Sequence, residues 1–239
     1  SPFFYALKCA FMASSIWLIS LPQTLNMHLA KYFIIICFYA PIIAIAQDWE
    51  EQYNKDGIVV YTMSEPATNT HSFKALTTIE KSAETVYAAI TDYDHVAEWQ
   101  AVDELIVLKV LSDTFKIVGS YIPFPWPLSD RYSVSEFNTS VDRTNKEVNY
   151  TIKVISSKSY PPKREGVELL EKGYGYWILK ENEKGHTEIE YFYAADAGNL
   201  PSWVVNLFIV DAPKDALLAL RKEVLKAPYQ NPNLPFWWD

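Results

Sequence analysis

"TEIEYFYAADAGNLPSWVVNLFIVDAPKDALLALRKEVLK", residues Thr187–Lys226, holds the two periodicities on which the fold turns. Over its first ten residues Glu188 and Glu190 alternate with Ile189, Tyr191 and Tyr193, the period-two pattern of a strand with one solvated and one apolar face. After Gly198 the period changes. Pro201 stands where a helix can begin, because a missing N–H costs nothing in the first turn. Val204, Leu207, Phe208, Leu217, Leu220 and Val224 then recur at helical spacing. Pro213 falls inside this pattern and predicts a kink or a short break. A one-sided strand leading into a long amphipathic helix predicts that the helix closes over the apolar face of a sheet.

Upstream, "GIVVYTM" and "HSFKALTTIE" read as strands, the second alternating at Phe73, Ala75, Thr77 and Ile79. Ser82 is placed to cap a helix whose apolar stripe is Val86, Ala89, Ile90 and Tyr93. "DHVAEWQ" predicts a second short helix. Six or so strands follow: "DELIVLKVLS", "TFKIVGSYI", "RYSVSEF", "EVNYTIKVIS", "GVELLEK" leading into "GYWILKE", and the strand of the opening segment. Tyr150 alternates inward with Val148, Ile152 and Val154. Two strands, two helices, a run of strands and a terminal helix predict an α+β fold, a curved antiparallel sheet wrapped around a long C-terminal helix. "YIPFPWPLSDRYSV" interrupts this sheet with prolines, which cannot donate to a ladder. It predicts a rim where the strand ends and restarts, with Trp126 as an apolar surface and Asp130 and Arg131 as polar anchors.

The ends differ from the middle. Residues 1–46 contain no Asp or Glu, although the chain has 29 acidic residues in all. From Met27, one Lys precedes an apolar run and then Ala44-Ile45-Ala46, the layout of a signal peptide over 27–46 cleaved before Gln47. A single anchoring helix is the rival reading, but the run is short for a span. Residues 1–26 lie upstream of that start and read as a mis-called start, with a two-helix membrane hairpin as the alternative. The domain is 47–226, and 227–239 is a proline- and aromatic-rich tail ending in Phe236, Trp237 and Trp238. Export to the periplasm or the extracellular space is the expected localisation. Without residues 1–46 both cysteines are gone, and 19 basic residues face 29 acidic ones, a net charge of −10. That balance argues against binding a nucleic-acid backbone or permanent adsorption to anionic lipid.

The exported part has three histidines, His71, His95 and His186, none spaced as a metal set. There is no HExxH, CxxC, nucleophile elbow or phosphate-binding glycine loop. Nothing calls for a cofactor. What remains is an inward aromatic face: Tyr150, Tyr191 and Tyr193, with Trp177 and Trp203 placed near it by topology. An ordinary core and an apolar pocket with a few polar groups both fit that set.

The chain also resembles the START family, the steroidogenic-acute-regulatory-related lipid transfer domains, from about Trp49 to Lys226. The resemblance rests on "DGIVVYT", on "FKALTTIEKSAETVYAAITDYDHVAEWQ", on "PWPLSDRYSV", and on "GYGYWILKENEKGHTEIEYFYAADAGNLPSWVVN". It implies a helix-grip fold with an internal hydrophobic tunnel, the C-terminal helix as lid, and binding and transfer of a lipid or sterol-like molecule without catalysis. The implied ligand-contacting residues are Trp126, Arg131, Tyr150, Leu169, Trp177, Tyr191, Tyr193, Trp203 and Phe208. Two departures stand out. Leu169 occupies the place of a tunnel-facing Arg of the family, so the tunnel is expected to lack that buried ion pair. The family's Arg-Asp becomes Arg131-Tyr132, with Asp130 in front, and strand parity leaves open whether Arg131 faces tunnel or surface.

The implied partners are a hydrophobic small molecule and, transiently, a membrane, for a protein expected to be a monomer. Two alternatives stay in play. One is a polyketide cyclase or aromatase of the same superfamily, with Tyr191, Tyr193 and Arg131 as its only acid–base candidates. The other is an interaction protein using the aromatic tail.

Overall fold

The computed structural model describes residues 49–232 and 234, apart from 66 and 197. The segments 1–26 and 27–46 and the aromatics Phe236, Trp237 and Trp238 lie outside the described residues. Ten strands form one sheet: β1 (Glu50–Lys55), β2 (Ile58–Glu65), β3 (Thr70–Ile79), β4 (Glu104–Ser112), β5 (Phe115–Ile122), β6 (Arg131–Asp142), β7 (Glu147–Ile155), β8 (Glu168–Leu169), β9 (Gly173–Glu181) and β10 (Thr187–Asp196). The order is β1-β2-β3-β10-β9-β7-β6-β5-β4, antiparallel throughout, with β8 joined in parallel to β6. β1 and β4 are its two edges, so the curved sheet stays open.

Among the described residues three α-helical segments accompany it: α1 (Ala83–Ile90), α2 (Ser202–Asn206) and α3 (Ala212–Glu223). Ser82 caps α1 by accepting a hydrogen bond from the Thr85 N–H, and Glu84 sits in the first turn, where a carboxylate suits the helix dipole. α2 and α3 are joined by a π-helical turn, Leu207–Asp211, in which the Ala212 N–H donates to the Leu207 carbonyl five residues back. This is the physical form taken by the break expected at Pro213. A proline cannot donate to the preceding turn, and the wider turn accommodates the lost bond without ending the helix. Leu217, Leu220 and Val224 are fully buried in the main core with Ile58, Val60, Ala75, Val86 and Leu179. Leu207 departs from the expected stripe and is 39% exposed. Among the described residues no helix is long and apolar enough to cross a membrane.

The structure departs from the sequence reading, or adds to it, in four places. β1 is an added edge strand: its polar, mostly exposed residues show no apolar alternation. "DHVAEWQ" contributes only a short 3₁₀ turn, Val96–Glu98. "GVELLEK" is a strand for two residues only, where β8 takes the edge of β6 that β7 leaves free below Val134. The segment "KSYPPKREG", between the predicted strands "EVNYTIKVIS" and "GVELLEK", covers the outer face of β5 and β6. There Tyr121, Tyr132 and Val134 form a second buried cluster with Tyr160 and Val167. Tyr121 Oη accepts from the Lys163 and Arg164 N–H groups, and Arg164 pairs with Asp103 and Glu104. Of the tail, Tyr229 is buried, its hydroxyl donating to Asp92 and Glu223.

Candidate ligand cavity

The concave face of the sheet, α2, the π turn and α3 enclose a cavity of about 800 Å³, within the range of about 300–1,000 Å³ usual for small-molecule sites. Its position follows from strand parity. Tyr150 on β7, Trp177 on β9, and Tyr191 and Tyr193 on β10 occupy inward positions, as their alternation predicts. Trp177 and Tyr191 are direct cross-strand partners, and their rings stack at 3.8 Å between centroids. Phe73 meets Tyr191 edge-on at 4.8 Å. The helical side contributes Val205, Phe208, Ile209, Ala212, Pro213 and Ala216.

Of the nine residues singled out in the sequence, Arg131, Tyr150, Leu169, Trp177, Tyr191, Tyr193 and Phe208 line the cavity. Trp126 and Trp203 do not. Trp126 is 91% exposed at the tip of the proline loop, and Trp203 is 57% exposed on the outer side of α2. The proline loop nevertheless meets the π turn that follows α2, where Phe124 stacks on Phe208 at 4.5 Å. Asp130 holds the loop by accepting from the Phe124 N–H at 2.9 Å.

Arg131 faces the cavity mouth. Its guanidinium lies over the Phe124 ring, donates to the Ser129 carbonyl at 2.7 Å, and pairs with Glu168 at 3.0 Å. Leu169 stands beside that pair, half-exposed. An ion pair, Arg131 with Glu168, thus stands at the entrance.

Sequence reasoning missed Ser120, Ser133, Ser135, Gln100 and His71, all of which line the cavity. The serines sit on the inward face of β5 and β6; only their parity with Arg131 and Phe137 could have pointed to them. His71 lies on the wall at the start of β3, its Nδ1 2.9 Å from Ser64 Oγ. No carboxylate bonds the ring's other nitrogen among the described residues, so the pair lacks the orienting group of a Ser–His nucleophile.

The buried phenols are weak acids. Tyr193 and Tyr191 have no hydrogen-bond partner among the described residues. Burial pushes Tyr193 up to about 12 and holds Tyr191 well above the usual phenol value. Burial raises Tyr150 too, and its hydroxyl lies 3.1 Å from that of Tyr93. At neutral pH these groups stay protonated. Among the described residues no three His, Cys, Asp or Glu side chains cluster as a metal set.

An open antiparallel sheet gripping a C-terminal helix around a cavity is the helix-grip fold, and this chain shares that fold with START lipid transfer domains. The crystal structure of a STAR-related lipid transfer protein from Xanthomonas axonopodis superposes on it with a TM-score of 0.65 at 23% identity, covering 74% of this chain and 99% of that one. Among curated proteins, the uncharacterized protein PA1579 of Pseudomonas aeruginosa is 27% identical over 186 residues, 77% of this chain and 90% of that protein. The phosphatidylcholine transfer protein of Mus musculus is 24% identical over 185 residues, 75% of this chain and 83% of its own length. No family model matches the chain.

Proposed function

We propose that this protein takes up a lipid in the cavity and carries it between membranes, without catalysing a reaction on it. The observation that carries the reading is the cavity of about 800 Å³ whose depth is lined by Phe73, Phe137, Ile152, Trp177 and the apolar face of the terminal helix. Withdrawing hydrocarbon from water yields about 25 cal/mol per Å², so such a lining holds an acyl chain or ring system with no charged anchor. The similarity to the mouse phosphatidylcholine transfer protein supports the same reading.

In this reading the exposed indoles of Trp126 and Trp203 touch the membrane during exchange, as amphipathic rings settle at a lipid–water interface. Export rests on the 27–46 pattern, and N-terminal sequencing of the protein from cells is expected to begin at Gln47. The function is tested by extracting the purified protein with organic solvent for mass spectrometry and by following fluorescent lipid between donor and acceptor vesicles. A co-purifying lipid and protein-dependent transfer are expected. Neither a bound lipid nor uptake of any fluorescent lipid would sink the reading.

A further inference from the structure

We infer that the polar end of the cavity is built for a lipid whose own polar end is uncharged and carries a hydroxyl, such as a diacylglycerol or a sterol, and not for a phosphocholine headgroup. The inference rests on the lipid-binding reading above and deepens it.

Ser120, Ser133 and Ser135 are 7%, 3% and 2% exposed and line the cavity. None of their hydroxyls has a hydrogen-bond partner among the described residues. Ser120 and Ser133 are direct partners across β5 and β6, which sets their Cβ atoms about 4.5–5.5 Å apart. Ser135 follows two residues along the same face of β6. Three hydroxyls converge on one patch of wall, and the Gln100 side chain, also without a partner, lines the same cavity. The three hydroxyls open into the cavity, so an apolar ligand group placed against them would strip their water and leave them unpaired, at about 1–3 kcal/mol each. The arrangement makes sense once a ligand completes the bonds.

Along β6 the inward face runs Arg131, Ser133, Ser135, Phe137, so polarity falls from the mouth toward the depth. The site is therefore placed for the polar end of a molecule whose apolar body lies inside. Its chemistry is neutral. Serine hydroxyls and a carboxamide both donate and accept, which matches an alcohol or an ester carbonyl. A phosphate buried there would need cationic donors, and Arg131 is already met by Glu168 and the Ser129 carbonyl. Lys172 stands at the mouth, paired with Asp196 and mostly exposed.

The test uses protein purified from cells expressing the full chain, and three probes: a diacylglycerol and a phosphatidylcholine bearing the same fluorescent acyl chain, and a fluorescent sterol. The diacylglycerol, the sterol or both are expected to bind at least tenfold more tightly than phosphatidylcholine, and the comparison of the two identifies the source of the hydroxyl. The double variant Ser133→Ala/Ser135→Ala is expected to lose about tenfold in affinity for the preferred neutral probe, with the phosphatidylcholine affinity unchanged. Its melting temperature without ligand should not fall, since the hydroxyls bond nothing in the protein. Equal or tighter phosphatidylcholine binding, or a double variant within twofold of wild type on the neutral probe, would overturn the inference while leaving lipid binding intact. If none of the three probes enters, the inference falls, and the lipid-binding reading falls with it where solvent extraction also finds no bound lipid.

Discussion

Tyr193 lies flat against β9 because residues 173 and 175 carry no side chain. A Cβ on Gly175 would collide with Tyr193 Cδ2 and stand 2.9 Å from the Phe192 carbonyl, and one on Gly173 would come within 2.6 Å of Tyr193 Oη. The two glycines thus set the depth of the cavity wall where Tyr193 borders it. Gly175→Ala is expected to drive the ring toward the lumen, to cost about 1–3 kcal/mol as overpacking does, and to lower bound lipid per protein. Denaturant unfolding and quantitative lipid extraction check the two effects separately. The phenol itself gives a pH prediction. Its value rises from 10.0 to about 12 in the folded protein, so the stabilisation it contributes is complete below pH 10 and is lost as pH rises from 10 through 12. Tyr193→Phe should therefore show a shallower alkaline loss of stability than wild type, by up to about 3 kcal/mol at pH 12, measured by urea unfolding at stepped pH. An identical alkaline slope in both proteins would refute the assignment. At this scale the inward tyrosines were legible from alternation alone, because side-chain parity is a local property. The serines were not: a serine at an inward position gives no apolar signal, and only the enclosed cavity makes it notable.

At the scale of elements, what could be read depended on how far each element's stability is local. β10 and β7 alternate strongly and match their predicted spans because each buries one face. β1 was invisible because an edge strand can be held by its ladder with little apolar burial. The shrinking of "GVELLEK" to two residues had no local signature either. It depends on β7 ending at Ile155 and leaving an unpaired stretch of β6, a fact of tertiary register. Helix signals were sharper. Ser82 was read as a cap from one residue, and it accepts from the Thr85 N–H. Ser82→Ala is expected to cost about 1 kcal/mol, seen as a drop in melting temperature with lipid selectivity unchanged, since Ser82 lies away from the cavity wall. The π turn shows the limit of such reading. Pro213 announces that a hydrogen bond must go, but whether the helix kinks, breaks or widens is decided by what packs on both sides. Here Phe208, Ile209, Ala212 and Pro213 all border the cavity.

For the whole molecule, the collinear START-like motifs made the open sheet and gripping helix legible, while the entrance was legible only in part. The proline loop was read as a rim, and it is one, but Trp126 points outward and its neighbour Phe124 makes the contact with the helix. That arrangement divides labour between two kinds of aromatic residue. The Phe124–Phe208 stack ties the rim to the π turn beside the cavity, and Trp126 and Trp203 present indoles to the outside. An offset aromatic pair is worth about 0.5–1.5 kcal/mol beyond its buried area, small enough for a membrane surface to outweigh by taking up the exposed rings. Transfer and binding should then separate by mutation. Trp126→Ser/Trp203→Ser is expected to keep the affinity for a lipid presented in detergent-free solution within about twofold, because neither indole lines the cavity. It should slow transfer between vesicles several-fold and reduce co-sedimentation with them. Phe208→Ala is expected to do the reverse: faster exchange of bound probe and weaker retention, with vesicle co-sedimentation preserved. If the double tryptophan variant transfers lipid at the wild-type rate, the indoles have no part in docking, and the membrane must be met by another face of the molecule.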